Sequence, residues 1–360
     1  IYDLAPGAEL YFATAFGSQA GFAQNILDLR TAGCDIIVDD ITYFSEGVFQ
    51  DDIIAQAVNT VTASGALYFS SAGNSGNKND GTAGVWEGDF VDGGASAAPF
   101  PLTGNFHLFS AGVPYNVVTV NTGNTGLKWS DPLGLSGNDY DLFVTNAAGT
   151  VIEAAGTAIQ DGNDNPYEQI GSCFVGERIY ILKKTGAATR ALHLNTNRGM
   201  ITYNTPGVVY GHNAGLNTIS VAATPASVPN SRPNSTTGPF PFPHNSNNKV
   251  EVFSSDGPRR IFYNPNGTEI TPGNLLFGTD GGTVLQKPDL TAADGTLTVT
   301  PGFIPFFGTS ASAPHVAAIA ALVKSAAPLL TAAQIKAALI ASCIDIETPG
   351  VDRDAGAGIV

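Results

Sequence analysis

The stretch Gly65-Ala66-Leu67-Tyr68-Phe69-Ser70-Ser71-Ala72-Gly73-Asn74-Ser75-Gly76 runs from a helix-ending glycine through an apolar core into small polar turn residues. Ala66 to Ser71 reads as a buried strand, and the turn that follows places Asn74 at its carboxyl end. Working outward, Ile54, Ala57, Val58 and Val61 make a helical stripe that Asp51 or Asp52 can cap and Gly65 ends. Asp35 to Ile41 reads as an earlier strand. Before it, Phe22, Ile26 and Leu29 form the face of a helix opened by Ser18 and closed by Gly33, and Glu9 to Phe16 reads as a first apolar strand. Strand, helix, strand, helix, strand implies a parallel sheet with right-handed crossovers. Such sheets bind ligands beyond the carboxyl ends of their strands, so the loops after Ile41 and Ser71 are where chemistry is sought.

Past Val85 the texture changes. Asn116 to Asn121, Tyr140 to Thr145, Thr150 to Ala154, Arg178 to Leu182 and Arg190 to Leu194 are short strands parted by turn residues, with no amphipathic helix up to Arg198. This pattern reads as an inserted β-sandwich. The α/β texture resumes at Thr218 to Ala223, followed by a Pro- and Asn-rich loop from Thr224 to Lys249. Two helices close the chain, one over Ser310 to Ala326 and one opened by a capping box of Thr331 and Gln334.

Composition narrows the function. With 16 Lys plus Arg against 31 Asp plus Glu, the net charge of −15 argues against a nucleic-acid partner. A hydrophobic content of 43%, with 42 Gly and 22 Pro, describes a turn-rich folded chain and not a disordered one. The most apolar stretch, Ala311 to Ala327, is too short to span a bilayer and is broken by Pro314 and His315. Cys34, Cys173 and Cys343 are odd in number and far apart, which suits neither a disulfide framework nor a Cys-x-x-Cys metal site. Low Lys and abundant Asn, Gly, Ser and Thr lean towards a secreted or cell-surface protein.

The chemistry concentrates in Gly308-Thr309-Ser310-Ala311-Ser312-Ala313-Pro314-His315-Val316-Ala317. Ser310 stands at the mouth of an Ala-rich helix buried through Val316, Ile319, Ala320 and Val323, and Pro314 is expected in the first turn, where amides lack partners. A hydroxyl there serves either as a plain helix cap or as a nucleophile near a positive helix end. Asn74 offers an amide at the sheet edge that suits an oxyanion, although Asn-Ser-Gly is also an ordinary turn.

Together, Ser71-Ala72-Gly73-Asn74 and Gly308-Thr309-Ser310 resemble the subtilisin-like serine peptidases. Phe253-Ser254-Ser255-Asp256-Gly257-Pro258, Lys287-Pro288-Asp289, the strand within Gly211 to Thr224 and Leu4-Ala5-Pro6-Gly7-Ala8 add to the resemblance in the right order. Sedolisin-type acid peptidases carry Asp where Asn74 stands, so the subtilisin branch fits better. The resemblance implies an α/β fold: a subtilisin-like parallel sheet sandwiched by helices over residues 1–84 and 199–360, with residues 85–198 as the inserted all-β sandwich. It also implies a serine endopeptidase acting on polypeptides, with Ser310 as nucleophile and Asn74 in the oxyanion hole. Asp40, Ile41, Thr42, Ser71, Ala72, Gly73 and Thr309 would line the substrate cleft.

The family's catalytic Asp and His precede the segment that Leu4 to Ala8 resembles, so the chain reads as a fragment truncated at both ends and inactive as it stands. His107, His193, His212, His244 and His315 read as bystanders. Where the family usually has Ser-x-Gly, this chain has Asp40-Ile41-Thr42; Asp40 suits either a basic substrate side chain or a solvated or calcium-supporting pair with Asp39. No cofactor is implied, and no specific calcium motif is present. Asp161-Gly162-Asn163-Asp164-Asn165 starts like an EF-hand loop but has Pro166 where Gly is needed and Ser172 where the bidentate Glu belongs. The rival readings are a non-catalytic binding or surface scaffold on the same fold and, more weakly, a nucleotide-binding domain, for which no phosphate loop follows any strand.

Overall fold

The computed structural model describes residues 1–360. Its organising layer is a parallel sheet of β1 (Ile36–Asp39), β2 (Leu67–Ser71), β3 (Ile219–Pro225) and β4 (Leu290–Asp294), in that spatial order. Both faces are covered, which is why the strands are apolar on both sides. Tyr68 and Ile37 point to α1 (Gln19–Thr31) and α2 (Ile53–Ala63), where they pack with Phe22, Ile26, Ile54 and Val58. Leu67 and Phe69, one residue out of phase, meet Ala313, Val316 and Ala320 of α3 (Thr309–Ala326) and Ile335 and Leu339 of α4 (Ala332–Ser342) on the other face.

The local signals account for the helix ends. The Ser18 hydroxyl accepts from the Gly21 amide at 3.0 Å, and the Asp52 carboxylate accepts from the Ile53 amide at 2.7 Å. Gly33 and Gly65 follow the two helices with φ of 103° and 95°, a backbone conformation that disfavours a side chain. The Thr331 and Gln334 capping box is complete on α4.

Two expectations fail. Glu9 to Phe16 forms no ladder; it stands off from β1 across a cavity of about 320 Å³ lined by Tyr11, Phe16, Ile26 and Ile37, out of pairing reach. An apolar run reads as a strand only if a partner edge lies within hydrogen-bonding distance. Pro314 lies in the second turn of α3, where its missing N–H leaves the Ser310 carbonyl without its helical donor.

From Val85 to Ile201 the chain forms strands and no helix. Tyr167–Ile170, Thr125–Trp129, Ala191–Asn195 and Val85–Asp89 form one antiparallel sheet. A seven-stranded sheet is built around Arg178–Lys184, which pairs with Asn116–Val120, Gly104–His107 and Tyr140–Thr145. The two sheets share one core, with Leu127, Trp129 and Leu192 from the first against Leu142, Ile179 and Ile181 from the second. This region is also joined to the rest of the molecule: Ala191 packs with Phe49, Tyr210, Phe262 and Tyr263, and Lys128 donates to the Phe44 carbonyl at 2.6 Å.

Candidate active site

The loop after β2 and the start of α3 meet at the carboxyl edge of the sheet. The Thr309 amide and hydroxyl both donate to the Asn74 side-chain carbonyl at 3.0 Å, and the Gly73 amide donates to the Thr309 hydroxyl at 3.1 Å. Residues 235 apart in sequence are thereby locked together. With its carbonyl oxygen taken, Asn74 has its Nδ2 left to point elsewhere. A methyl group at Gly308 would lie 3.3 Å from that nitrogen and 3.4 Å from the Ser310 hydroxyl, so nitrogen and hydroxyl flank one small volume.

Gly308 has φ of 122° and donates its amide to Asp294 at 2.7 Å. Behind it, Glu251 faces Asp294. Burial first, and then each carboxylate's proximity to the other, pushes the pKa of Glu251 well above the usual carboxylate range; burial does the same to Asp294. At neutral pH the pair therefore retains a proton. The Phe253–Pro258 motif braces the other loop: the Ser75 amide donates to the Ser255 hydroxyl, and the Ser255 amide to the Gly73 carbonyl, both at 3.0 Å.

Ser310 and Asn74 open on a cleft of about 500 Å³ whose walls include Asp40, Ile41, Thr42, Ser71, Ala72 and Gly73. Every residue placed at the site from sequence is thus gathered here except Thr309, which is fully buried beneath it as the tether. Asp40 faces the hydroxyls of Ser310 and Ser71. Burial raises its pKa, and those two hydroxyls oppose the rise. Asp39 is not a solvated partner of Asp40; it turns inward to accept from the Ser70 hydroxyl at 2.9 Å and to meet His212 at 3.2 Å. None of the five histidines lines the cleft. His212 is buried between Asp39 and Glu46, whose charges outweigh desolvation and raise its pKa to about 10. No group of three or more His, Cys, Asp or Glu is arranged as a metal-ligand set, and no helix is long and apolar enough to cross a membrane.

Sequence reasoning missed several contributors. Asn213 donates through its side-chain amide to the Ile41 carbonyl at 2.9 Å and the Ser71 carbonyl at 3.0 Å, which fixes the distance between the cleft walls. Its only signal was a polar residue next to a strand already assigned to the sheet. Asn195, Asn197 and Arg198 reach the cleft from the all-β region, and no local pattern announces such a long-range contact.

No curated protein matches this sequence. Among solved structures, S41 psychrophilic protease matches 96% of this chain and 64% of its own, at 13% identity and a TM-score of 0.39. Sphericase matches 95% of this chain and 63% of its own, at 14% identity and a TM-score of 0.38. This chain therefore spans less than two thirds of the length of either. The subtilase family (peptidase S8) matches residues 2–358, almost from end to end, and the chain belongs to that family.

Proposed function

We propose that this chain carries the nucleophile and oxyanion hole of a subtilisin-like serine endopeptidase. Ser310 attacks the peptide carbonyl to form an acyl-enzyme, and the Asn74 side-chain amide with the Ser310 backbone amide stabilises the oxyanion. The observation that carries this reading is the tether through Thr309, which holds Asn74 Nδ2 and the Ser310 hydroxyl around one volume. A preorganised donor beside a hydroxyl at a helix start lowers the energy of developing negative charge without having to reorganise. The backbone of residues 40–42 and 71–73 offers an extended edge to a polypeptide substrate. The serine proton needs an acceptor, and no histidine lines the cleft. We assign that role to the family's His, supported by its Asp, supplied from outside residues 1–360; the 360-residue chain alone is then inactive and its parent a secreted or cell-surface enzyme.

The test is covalent labelling of the parent protein by a fluorophosphonate probe, with the adduct mapped by mass spectrometry. One adduct on Ser310, lost in Ser310→Ala, is expected. A parent protein that takes up no probe would favour the scaffold reading. Casein hydrolysis by the isolated 360-residue chain would overturn the external proton acceptor.

A further inference from the structure

Arginine is scarce in this acidic chain, and most of it is paired: Arg30, Arg190, Arg259, Arg260 and Arg353 each face a carboxylate within 4 Å. Two that are not paired converge on the cleft. Arg198 is exposed in a turn from the all-β region, where Asn197 and Arg198 adopt φ of 43° and 72°. Arg232 comes from the Pro- and Asn-rich loop before Lys249. With Asn74, Phe253, Phe307 and Gly308 they line a second cavity of about 120 Å³, which shares Asn74 and Arg198 with the main cleft. The Arg232 guanidinium lies 5.5 Å from the Phe253 ring centre and donates to the Asn74 backbone carbonyl at 3.5 Å, contacts that orient it without neutralising it. The two arginines are close enough to repel, and burial and the Arg198 charge lower the Arg232 pKa. Two carboxyl groups exert a field here. Glu251 is buried and paired with Asp294, and Asp40 belongs to the wall of the main cleft.

Resting on the peptidase reading, we propose that the cavity between Arg198 and Arg232 receives a carboxylate of the substrate, on the side of Ser310 where Gly308 and Phe307 lie. Two converging guanidinium forks, one partly desolvated, match a carboxylate in charge and in geometry and are poorly satisfied without one. The carboxylate belongs either to an acidic side chain near the scissile bond or to a chain terminus. Asp40 and Arg198 give the main cleft groups of both charges.

The experiment measures fluorescence polarisation of labelled hexapeptides on the parent protein carrying Ser310→Ala, which cannot form an acyl-enzyme with them. One contains Glu, one Gln at the same position, both amidated, and a third is the Gln peptide with a free terminal carboxylate. At about 20 mM salt the carboxylate-bearing peptide is expected to bind about tenfold more tightly than the amidated Gln peptide, an advantage reduced at about 300 mM by screening. The Glu or the free-terminus peptide, whichever gains, identifies the source. Arg198→Gln and Arg232→Gln each weaken the preference and together abolish it; Arg198 is exposed, so its replacement leaves the fold intact. Equal affinities, no binding up to about 1 mM, or a preference that survives in the double variant overturns the proposal. A carboxylate preference, with no probe uptake by Ser310 in the unsubstituted parent protein, would overturn the peptidase reading alone.

Discussion

The Thr309 hydroxyl is the smallest group on which the site depends. It accepts from Gly73 and donates to Asn74, so one oxygen sets the spacing between the loop after β2 and the start of α3. Valine at 309 keeps the shape but removes both bonds, leaving the half-buried Gly73 amide without its partner. Thr309→Val is therefore expected to slow probe labelling of Ser310 in the parent protein by about tenfold, with little change in substrate KM, because the loss falls on the developing oxyanion. An unchanged labelling rate would mean that Asn74 is held by other contacts. Ser310 and Asn74 were legible in sequence because each sits in a short motif with its own local geometry. Asn213, Arg198 and Arg232 were not. Their roles exist only after residues far apart in the chain are brought to one edge.

Elements were legible where the sequence carries both a period and a stop signal. α1 and α2 have apolar stripes bounded by a cap and a glycine, and α4 has its capping box. Glu9 to Phe16 has apolar residues but no information about its partner, and it is coil. In α3 the sequence gives the face and the stop but not the first residue; a shift in where the helix begins moves Pro314 from the first turn to the second. The cap on α4 gives a direct measurement. Thr331 accepts from the Gln334 amide at 3.3 Å while Gln334 Oε1 accepts from the Thr331 amide at 2.9 Å. Thr331→Ala is expected to cost about 1 kcal/mol, seen as a lower urea midpoint at unchanged m-value. No shift would show that packing of Ile335 and Leu339 fixes the helix without its cap.

Across the whole molecule, the sequence shows an acidic chain, but only the structure shows which acids are buried. Burial raises Asp141 and Glu168 to about 7, and the fully buried Asp294 and Glu251 rise with them. An unfolded carboxyl titrates near about 4, so the folded state holds protons that the unfolded state has released, and their stabilisation is lost as pH rises through about 7. His212 acts in the same direction. Its folded value of about 10 exceeds the ordinary 6.5, so its contribution is full below pH 6.5 and disappears as pH rises through about 10. His107 and His193 are buried with lowered values, and they oppose the carboxyls only below about pH 6.5, where the unfolded imidazoles take up protons. Above that point the buried Lys128, lowered by burial to about 7, and Lys287, also lowered by burial, oppose the carboxyls and His212, because the unfolded amines take up protons that the folded ones lack, while the net charge of −15 adds repulsion. Four carboxyls outnumber the two imidazoles, so thermal stability is expected to fall from about pH 5 to about pH 8, by roughly 5 °C or more. His212→Gln should flatten the upper part of that fall while costing about 3 kcal/mol at neutral pH, because it leaves Asp39 and Glu46 buried without their cation. A melting temperature that rises from pH 5 to 6.5, where His212 is protonated in both states, would show that these carboxyls ionise in the folded state as readily as they do in water.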